Sequence, residues 1–376
     1  LHRFPESAFA WRYQMPLLAR MGYLAWAPNQ RGYGHTTRFP RIDDYRIEIL
    51  VDDVARLIDA SGKQRITLIG HDWGGAVAWM SALMRIRPID RLVVMNLPHP
   101  TCFRRRGRTW AQLRRSWYVF LFQIPWLPEK LLGARGARAV RDAFRRSSLA
   151  PERFPDEVLD VYAAQALQPG ALTAMLNWYR AMRRLDPALE RLIAAPPLLE
   201  VPTLMIWGEH AVALGKELTY GTDELVRDLT LHYLPGVSHW VQQEAPEKVN
   251  ELLEAWLGLS GADDVLGIGF EMVRRPHQHV LDAYGGGAVA LRDLPAALSW
   301  EDTWGFAFAM YAPLFASAHD HGVRLWGLNA PKTWTKRVAR HGYGALPREI
   351  RDSLDPIVLD DAEHRRFFFA AIGGHD

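Results

Sequence analysis

A six-residue turn, Gly70-His71-Asp72-Trp73-Gly74-Gly75, constrains the fold of this 376-residue chain more than any other feature. It follows an apolar run, Ile66-Thr67-Leu68-Ile69, that reads as a buried strand over residues 65–70, and it precedes a helical stretch over residues 76–84. A sharp strand-to-helix turn strains the residue at its apex and lifts that side chain above the sheet, while nearby glycines let helix and strand approach without clash. Here the lifted residue is an aspartate. A carboxylate needs no base to be a nucleophile at neutral pH, and its attack on an sp3 carbon leaves an ester on the protein. The helix N-terminus behind it favours the anion. The plainer reading is an aspartate that only caps the helix, and six residues do not separate the two.

The surrounding pattern says what kind of sheet the turn belongs to. Strand-like runs at residues 23–28, 65–70, 91–96, 202–207 and 229–234 alternate with helical stretches, which predicts an α/β fold with a mostly parallel sheet and helices on both faces. Residues 100–199 break the alternation with Trp, Arg and Leu at helical spacing, as a helical cap laid over the sheet would. Near residues 257–265 the pattern resets through Gly258, Ser260 and Gly261, and a domain boundary is placed there. Beyond it come a strand at 265–270, a helix at 272–284, a second helix starting near Ser299 with Asp302 in capping position, and a strand at 323–328. The two domains are therefore read as 1–258 and 262–376.

A histidine completes the chemistry. Leu234-Pro-Gly-Val-Ser-His239-Trp240 follows the last predicted strand of the first domain. A lone histidine is more often structural, but nucleophile first and histidine last is the chain order of the elbow architecture. His239 is the candidate base that activates water against the Asp72 ester.

These residues together resemble the soluble epoxide hydrolases of the α/β-hydrolase fold, over roughly residues 1–258. Asn29-Gln-Arg-Gly-Tyr-Gly34, the aspartate elbow and Gly236-Val-Ser-His-Trp-Val-Gln-Gln-Glu-Ala-Pro246 carry the likeness. The opening His2-Arg3-Phe4-Pro5 is similar to the family's His-Gly-x-Pro loop, which implies an oxyanion hole from the backbone N–H groups of Phe4 and Trp73. Trp117-Tyr118 and Asn177-Trp178-Tyr179-Arg180 resemble the two cap segments whose tyrosines hold and protonate the epoxide oxygen. The resemblance thus implies Asp72, His239, Tyr118 and Tyr179 as catalytic residues, with His2, Pro5, His71, Trp178 and Trp240 around the substrate. It implies a small-molecule epoxide as substrate and no cofactor. A haloalkane dehalogenase shares the aspartate elbow but needs halide-binding groups where the two tyrosines stand.

Two departures matter. Arg3 stands where the family pattern has glycine. The triad acid, expected in a Trp-Gly-Glu-x-Asp pattern, is replaced in Trp207-Gly208-Glu209-His210-Ala211 by alanine. The other acid position of the family, at the end of the 91–96 strand, carries Asn96. Glu209 is the substitute to consider, and slow hydrolysis of the ester is the expectation. The family's two or three opening strands are also expected to be missing ahead of Leu1, so that the chain is a fragment or something else fills their place.

Residues 262–376 resemble part of the ChaN-like haem-binding uptake family through Gly269-Phe270-Glu271-Met272, Gln278, Tyr311-Ala-Pro-Leu-Phe315 and Gly327-Leu-Asn-Ala-Pro331. That implies a possible haem, with Glu271, His277, His279 and His375 as candidate ligands, although the family's opening Gly-Glu-x-His segment is missing. A non-catalytic haem- or ligand-binding fusion is the contrasting function class.

Composition excludes little more. Of 45 basic residues only six are lysine, so the basic character is an arginine bias. Twelve basic residues against Glu129 and Asp142 in 101–150 read as a solvated helical face, with no nucleic-acid motif beside them. Cys102 is the only cysteine, so neither an intrachain disulfide nor a thiolate metal cluster can form, and no metal site is expected. The apolar stretch 117–127 is too short to span a bilayer, and a cytoplasmic protein is the default reading. The oligomeric state is not legible.

Overall fold

A computed structural model describes residues 1–258, 267–303, 307–320 and 324–352. Strands β1 (Thr67–His71), β2 (Arg91–Met95), β3 (Thr203–Gly208) and β4 (Leu229–Leu234) form one parallel sheet in that order. The runs Leu-Val-Val-Met in β2 and Leu-Met-Ile-Trp in β3 are buried throughout, because a parallel sheet covered on both faces needs apolar residues in succession rather than in alternation. The helix Trp73–Leu83 begins one residue after Asp72 and is apolar on nearly every side, so it is sunk into the core. Gly70 makes this approach possible: a Cβ there would lie 2.3 Å from the Gly74 carbonyl oxygen.

The expected strand at residues 23–28 does not form. Among the described residues the backbone from Leu24 to Pro28 has no hydrogen-bond partner. Its burial still alternates, with Leu24 and Trp26 exposed and Ala25 buried. A strand is defined by its neighbour, and among the described residues the outer edge of β1 is engaged only by Leu1, which donates to Ile69 O at 2.6 Å and accepts from His71 N at 3.0 Å. A groove of about 280 Å³, lined by Tyr23, Ala25, Leu57 and Leu68 among others, separates the two segments.

Between β2 and β3 the chain makes seven helices, from Pro100–Arg106 to Pro187–Ala194. The longest, Leu127–Ser147, is kinked at residues 134–137. Ala171–Ala181 is buried over its whole apolar length and carries Trp178 and Tyr179. Arg180 ties this helix to the segment that bears Tyr118. Its guanidinium donates to both carboxylate oxygens of Glu129 (2.7 and 3.1 Å) and to the carbonyls of Phe122 and Ile124 (3.0 Å each). The arginine-rich face around it is solvated and paired with acids from other segments, as in Arg115–Glu217 and Arg141–Asp160. Among the described residues no helix is long and apolar enough to cross a membrane.

Beyond Leu257, β5 (Gly267–Arg274) and β6 (Arg324–Asn329) pair in parallel, flanked by helices Gln278–Gly285, Ala312–Asp320 and Lys332–His341. Met272 therefore lies in a strand, not at the start of a helix, and the following helix begins at Gln278. The helix near Ser299 starts at Trp300. The expected linker at 259–264, together with Val265 and Val323, lies outside the described residues. Phe270 stacks on Phe315 at 4.2 Å, and Tyr311 meets Phe9, near the start of the chain, at 5.9 Å. One apolar cluster runs from these rings into Phe144, Tyr162 and Trp240.

Arg180 and Glu129 form a nearly buried, bidentate pair. Arg180→Ala is expected to lower the free energy of unfolding by about 3 kcal/mol, since Glu129 would lose its countercharge; urea titration of both proteins measures it.

Candidate active site

Asp72 occupies the turn with φ 48° and ψ −116°, a conformation that non-glycine residues adopt only under constraint. The constraint is visible in the backbone: Asp72 N–H donates to Met95 O at 3.1 Å, and Ala76 N–H donates to Asp72 O at 2.9 Å. The side chain does more than cap the helix. Oδ2 accepts from Trp73 N–H at 2.7 Å, and Oδ1 lies 2.9 Å from His239 Nε2. Arg3 Nε is 3.7 Å from Oδ2, and its guanidinium lies 4.2 Å from the centre of the Trp240 ring. Burial alone would raise the Asp72 carboxyl. Arg3 and the bond to His239 outweigh burial and hold it well below the usual carboxylate range.

The loop that carries His239 is fixed from two sides. Glu244 accepts from Ser238 N–H at 2.9 Å, from Ser148 Oγ at 3.0 Å and from Ala150 N–H at 2.9 Å, joining the loop to the cap. His71 Nε2 donates to His239 O at 2.8 Å. The His239 imidazole is buried, and burial together with Arg3 pushes its pKa down to about 3. Because an ionised carboxylate only accepts, the neutral ring carries its hydrogen on Nε2, directed at Asp72.

Across from the carboxylate stand Tyr118 and Tyr179. Their rings are 6.1 Å apart, and Trp73, Phe4 and Phe122 pack edge-on against Tyr179. Neither hydroxyl has a hydrogen-bond partner among the described residues. Burial, with Tyr118 and Asp72 acting on Tyr179 and Asp72 on Tyr118, raises both phenols, so each remains a neutral donor. Phe4 N–H is likewise without a partner among the described residues, and Trp73 N–H faces Asp72 Oδ2.

The comparisons with known proteins agree with this geometry. Residues 1–246 match the family described as alpha/beta hydrolase fold, and residues 237–376 match the haem-binding uptake family of the Tiki superfamily, ChaN. Epoxide hydrolase 3 of Xenopus tropicalis is 36% identical over 263 residues, which cover 68% of this chain and 70% of that protein. An AB hydrolase superfamily protein of Bacillus subtilis (strain 168), YfhM, is 37% identical over 258 residues, 68% of this chain and 88% of its own. Among solved structures, epoxide hydrolase A from Mycobacterium thermoresistibile superposes with a TM-score of 0.59 at 30% identity, over 68% of this chain and 89% of that one. The chain belongs to the α/β-hydrolase family, among the epoxide hydrolases.

Among the described residues no acid reaches the second ring nitrogen of its histidine. His239 Nδ1 is buried with no hydrogen bond among the described residues. Ala211, where the sequence pattern led to an expected acid, has no carboxylate to offer it. Glu209 is not brought to His239: its carboxylate is paired with Lys216. Asn96 is held elsewhere too, with Oδ1 accepting from Gly208 N–H at 2.8 Å.

Several expected pocket residues have their polar atoms engaged by the protein itself. His2 is buried with Nε2 accepting from Gln30 N–H at 3.1 Å and Nδ1 facing Arg3 O at 3.2 Å. His71 Nδ1 accepts from Gln242 at 2.9 Å, beside the buried Glu6 carboxylate, which also receives Gln243 at 2.6 Å. Neither imidazole has a free nitrogen for a substrate. Trp178 donates to Arg31 O at 3.0 Å, and Trp240 stacks on Phe144 at 4.1 Å; Pro5 is buried. The sequence reading noted Arg3 only as a missing glycine and missed its contact with the nucleophile. It also missed the Glu6 and Glu244 anchors, which no local motif announces.

The described residues fit a haem poorly. His279 is exposed with Nδ1 facing Pro276 O at 2.9 Å, and the exposed His319 faces Tyr284 O at 3.0 Å. Only His277 Nδ1 is buried without a hydrogen bond among these histidines. No group of three His, Cys, Asp or Glu that could hold a metal occurs among the described residues. Glu271 contributes no described side chain, and His375 lies outside the described residues.

Buried histidines also set the acid limit of the fold. Burial lowers His2 and His239 to about 3, and burial with Arg105 lowers His99 to about 4. Unfolded histidines bind protons below a pH of about 6.5, whereas these three stay neutral while folded. Their contribution is therefore fully present above that pH and is lost as pH falls. Unfolding free energy should drop by about 4 kcal/mol per pH unit between roughly pH 6 and 4.5. A flat urea-stability profile across that window would contradict the neutral assignment.

Proposed function

We propose that the chain opens an epoxide to a vicinal diol through a covalent Asp72 ester. The observation that carries this reading is the buried carboxylate at the elbow, bonded to His239 on one oxygen and facing two unpartnered tyrosine hydroxyls. Asp72 Oδ1 attacks a ring carbon, the carbon–oxygen bond breaks, and its electron pair goes to the ring oxygen. Tyr118 and Tyr179 hold that oxygen and protonate it. Oδ2 becomes the ester carbonyl, within reach of Trp73 N–H and Phe4 N–H as the oxyanion hole. Trp178 shapes the substrate wall and Trp240 the floor beside Arg3.

The second step needs His239 Nε2 to take a proton from water, and here the site is handicapped. With Asp72 ionised, the ring hydrogen sits on Nε2, the nitrogen that must be bare to act as base. A carboxylate at Nδ1 would hold the other tautomer and stabilise the imidazolium; its loss costs on the order of 10⁴-fold in turnover in serine proteases. Ester hydrolysis is therefore the slow step. Glu209 is not proposed as a substitute. The two phenols favour an epoxide over a halide, since they supply proton donors where a leaving halide needs none.

This scheme uses no cofactor. Haem belongs to the family matched by residues 237–376, and no role for it is proposed on the described residues. Two units, 1–258 with the cap at about 100–199 and 262–376, and a cytoplasmic location are the accompanying proposals.

Intact-protein mass spectrometry after incubation with styrene oxide tests the reading. A persistent adduct of substrate mass is expected in the native chain and none in Asp72→Ala. No adduct and no diol would remove the enzymatic reading and leave a ligand-binding fusion. Ala211→Asp should shorten the adduct's lifetime by about 10²- to 10⁴-fold. An unchanged lifetime would mean that the acid must come from elsewhere.

A further inference from the structure

Arg3 is a buried cation whose hydrogen-bonding capacity is largely unused. Nε donates to Phe4 O at 2.7 Å and lies 3.7 Å from Asp72 Oδ2, and the residue is 7% exposed. Its terminal Nη nitrogens have no hydrogen-bond partner among the described residues, although a guanidinium carries five donors in a fork that matches a carboxylate. Among the described residues Asp72 is its only ion-pair partner within 4 Å, with the buried Glu6 carboxylate farther off, and the proposed reaction removes that nearest countercharge. When Oδ1 bonds to the ring carbon, the negative charge passes to the ring oxygen. A phenol proton neutralises it there, and the phenol recovers its proton from solvent. A guanidinium is then left buried against a neutral ester, with only the more distant Glu6 carboxylate to balance it, which is unfavourable.

We infer that Arg3 selects epoxides bearing a carboxylate on or next to the oxirane ring, which pairs with the free Nη groups as Asp72 is esterified. The inference rests on the epoxide-opening reading above. A second observation points the same way. Where the family pattern has glycine at position 3 and aspartate at position 211, this chain has arginine and alanine. Both changes make the site more positive. An anion that would face two carboxylates in the family pattern faces one carboxylate and a guanidinium here. The stacking of Arg3 on Trp240 holds the fork in place without using its donors.

The test compares 3-phenylglycidate with 3-phenylglycidamide, a neutral partner of nearly the same shape, by the initial rate of adduct formation on the native chain, Arg3→Gln and Arg3→Lys. The native chain should favour the carboxylate by roughly 10- to 100-fold, the span of one hydrogen bond to a charged group. Arg3→Gln should abolish that preference while still alkylating the amide. Arg3→Lys should keep part of it, which separates charge from a general disturbance of the loop. Equal rates for both substrates on the native chain, or an undiminished preference in Arg3→Gln, would overturn the inference while leaving epoxide opening intact. Free acetate that raised the amide to the rate of the carboxylate would also overturn it, because the anion need not then belong to the substrate. No adduct from either substrate would overturn both readings.

Discussion

The strained backbone at Asp72 is the constraint on which the rest of the structure depends. Holding a non-glycine residue at φ 48° costs on the order of 1–3 kcal/mol, so its surroundings must over-determine it. They do so from three directions. β1 delivers the chain to the turn, Met95 O at the end of β2 takes the Asp72 amide, and the first turn of the following helix takes its carbonyl. The fully apolar β2 and β3 are what make that platform rigid, because a tightly packed core leaves the turn nowhere to relax. The carboxylate is thereby presented to His239 and to the cap in one orientation.

The cap and the sheet reach the site through polar anchors as well as apolar packing. Glu244 receives donors from the His239 loop on one side and from residues 148–150 of the cap on the other. Arg180 makes the corresponding link from the donor side, donating from the Tyr179 helix to the segment that follows Tyr118. Such buried charged hubs are costly if half satisfied, and both are well supplied with partners. The placement of Asp72 relative to Tyr118 and Tyr179 is consequently held by two hydrogen-bonded junctions. The C-terminal strands and helices add their rings to the same apolar cluster that supports Phe144 and Trp240, so the outer face of the site is shared between the two parts of the chain.

Much of this was legible because the signals are local. The elbow needs adjacent glycines, a buried strand before it and a helix after it, all within some twenty residues of sequence. β4 and His239 are likewise one uninterrupted stretch. What could not be read depends on partners distant in sequence. Residues 23–28 have the alternation of a strand, yet a strand exists only against a neighbour, and β1 offers them none at bonding distance. Met272 continues β5 because β6, some fifty residues on, reaches as far as Arg274. Glu209 sits two residues from the family's acid position, which suggested a substitute, but Lys216 holds its carboxylate. Arg3 looked like a disturbance of a glycine-dependent loop. Its significance appears only when Asp72 and Trp240, remote in sequence, are placed around it.

In the proposed mechanism, Arg3 and Ala211 act on different halves of the reaction. Arg3 lies beside Asp72 Oδ2, so it stabilises the carboxylate before attack and loses that interaction when the ester forms. Ala211 concerns Nδ1 of His239, the nitrogen left bare, and so bears on the placement of a single proton after the ester exists. The first effect belongs to the ground state of alkylation and can be offset by charge on the substrate. The second cannot, because no substrate group reaches the far side of a buried imidazole. A charged substrate therefore hastens formation of the ester without hastening its release. The more closely a substrate matches Arg3, the more completely the protein should stand in the esterified state during turnover.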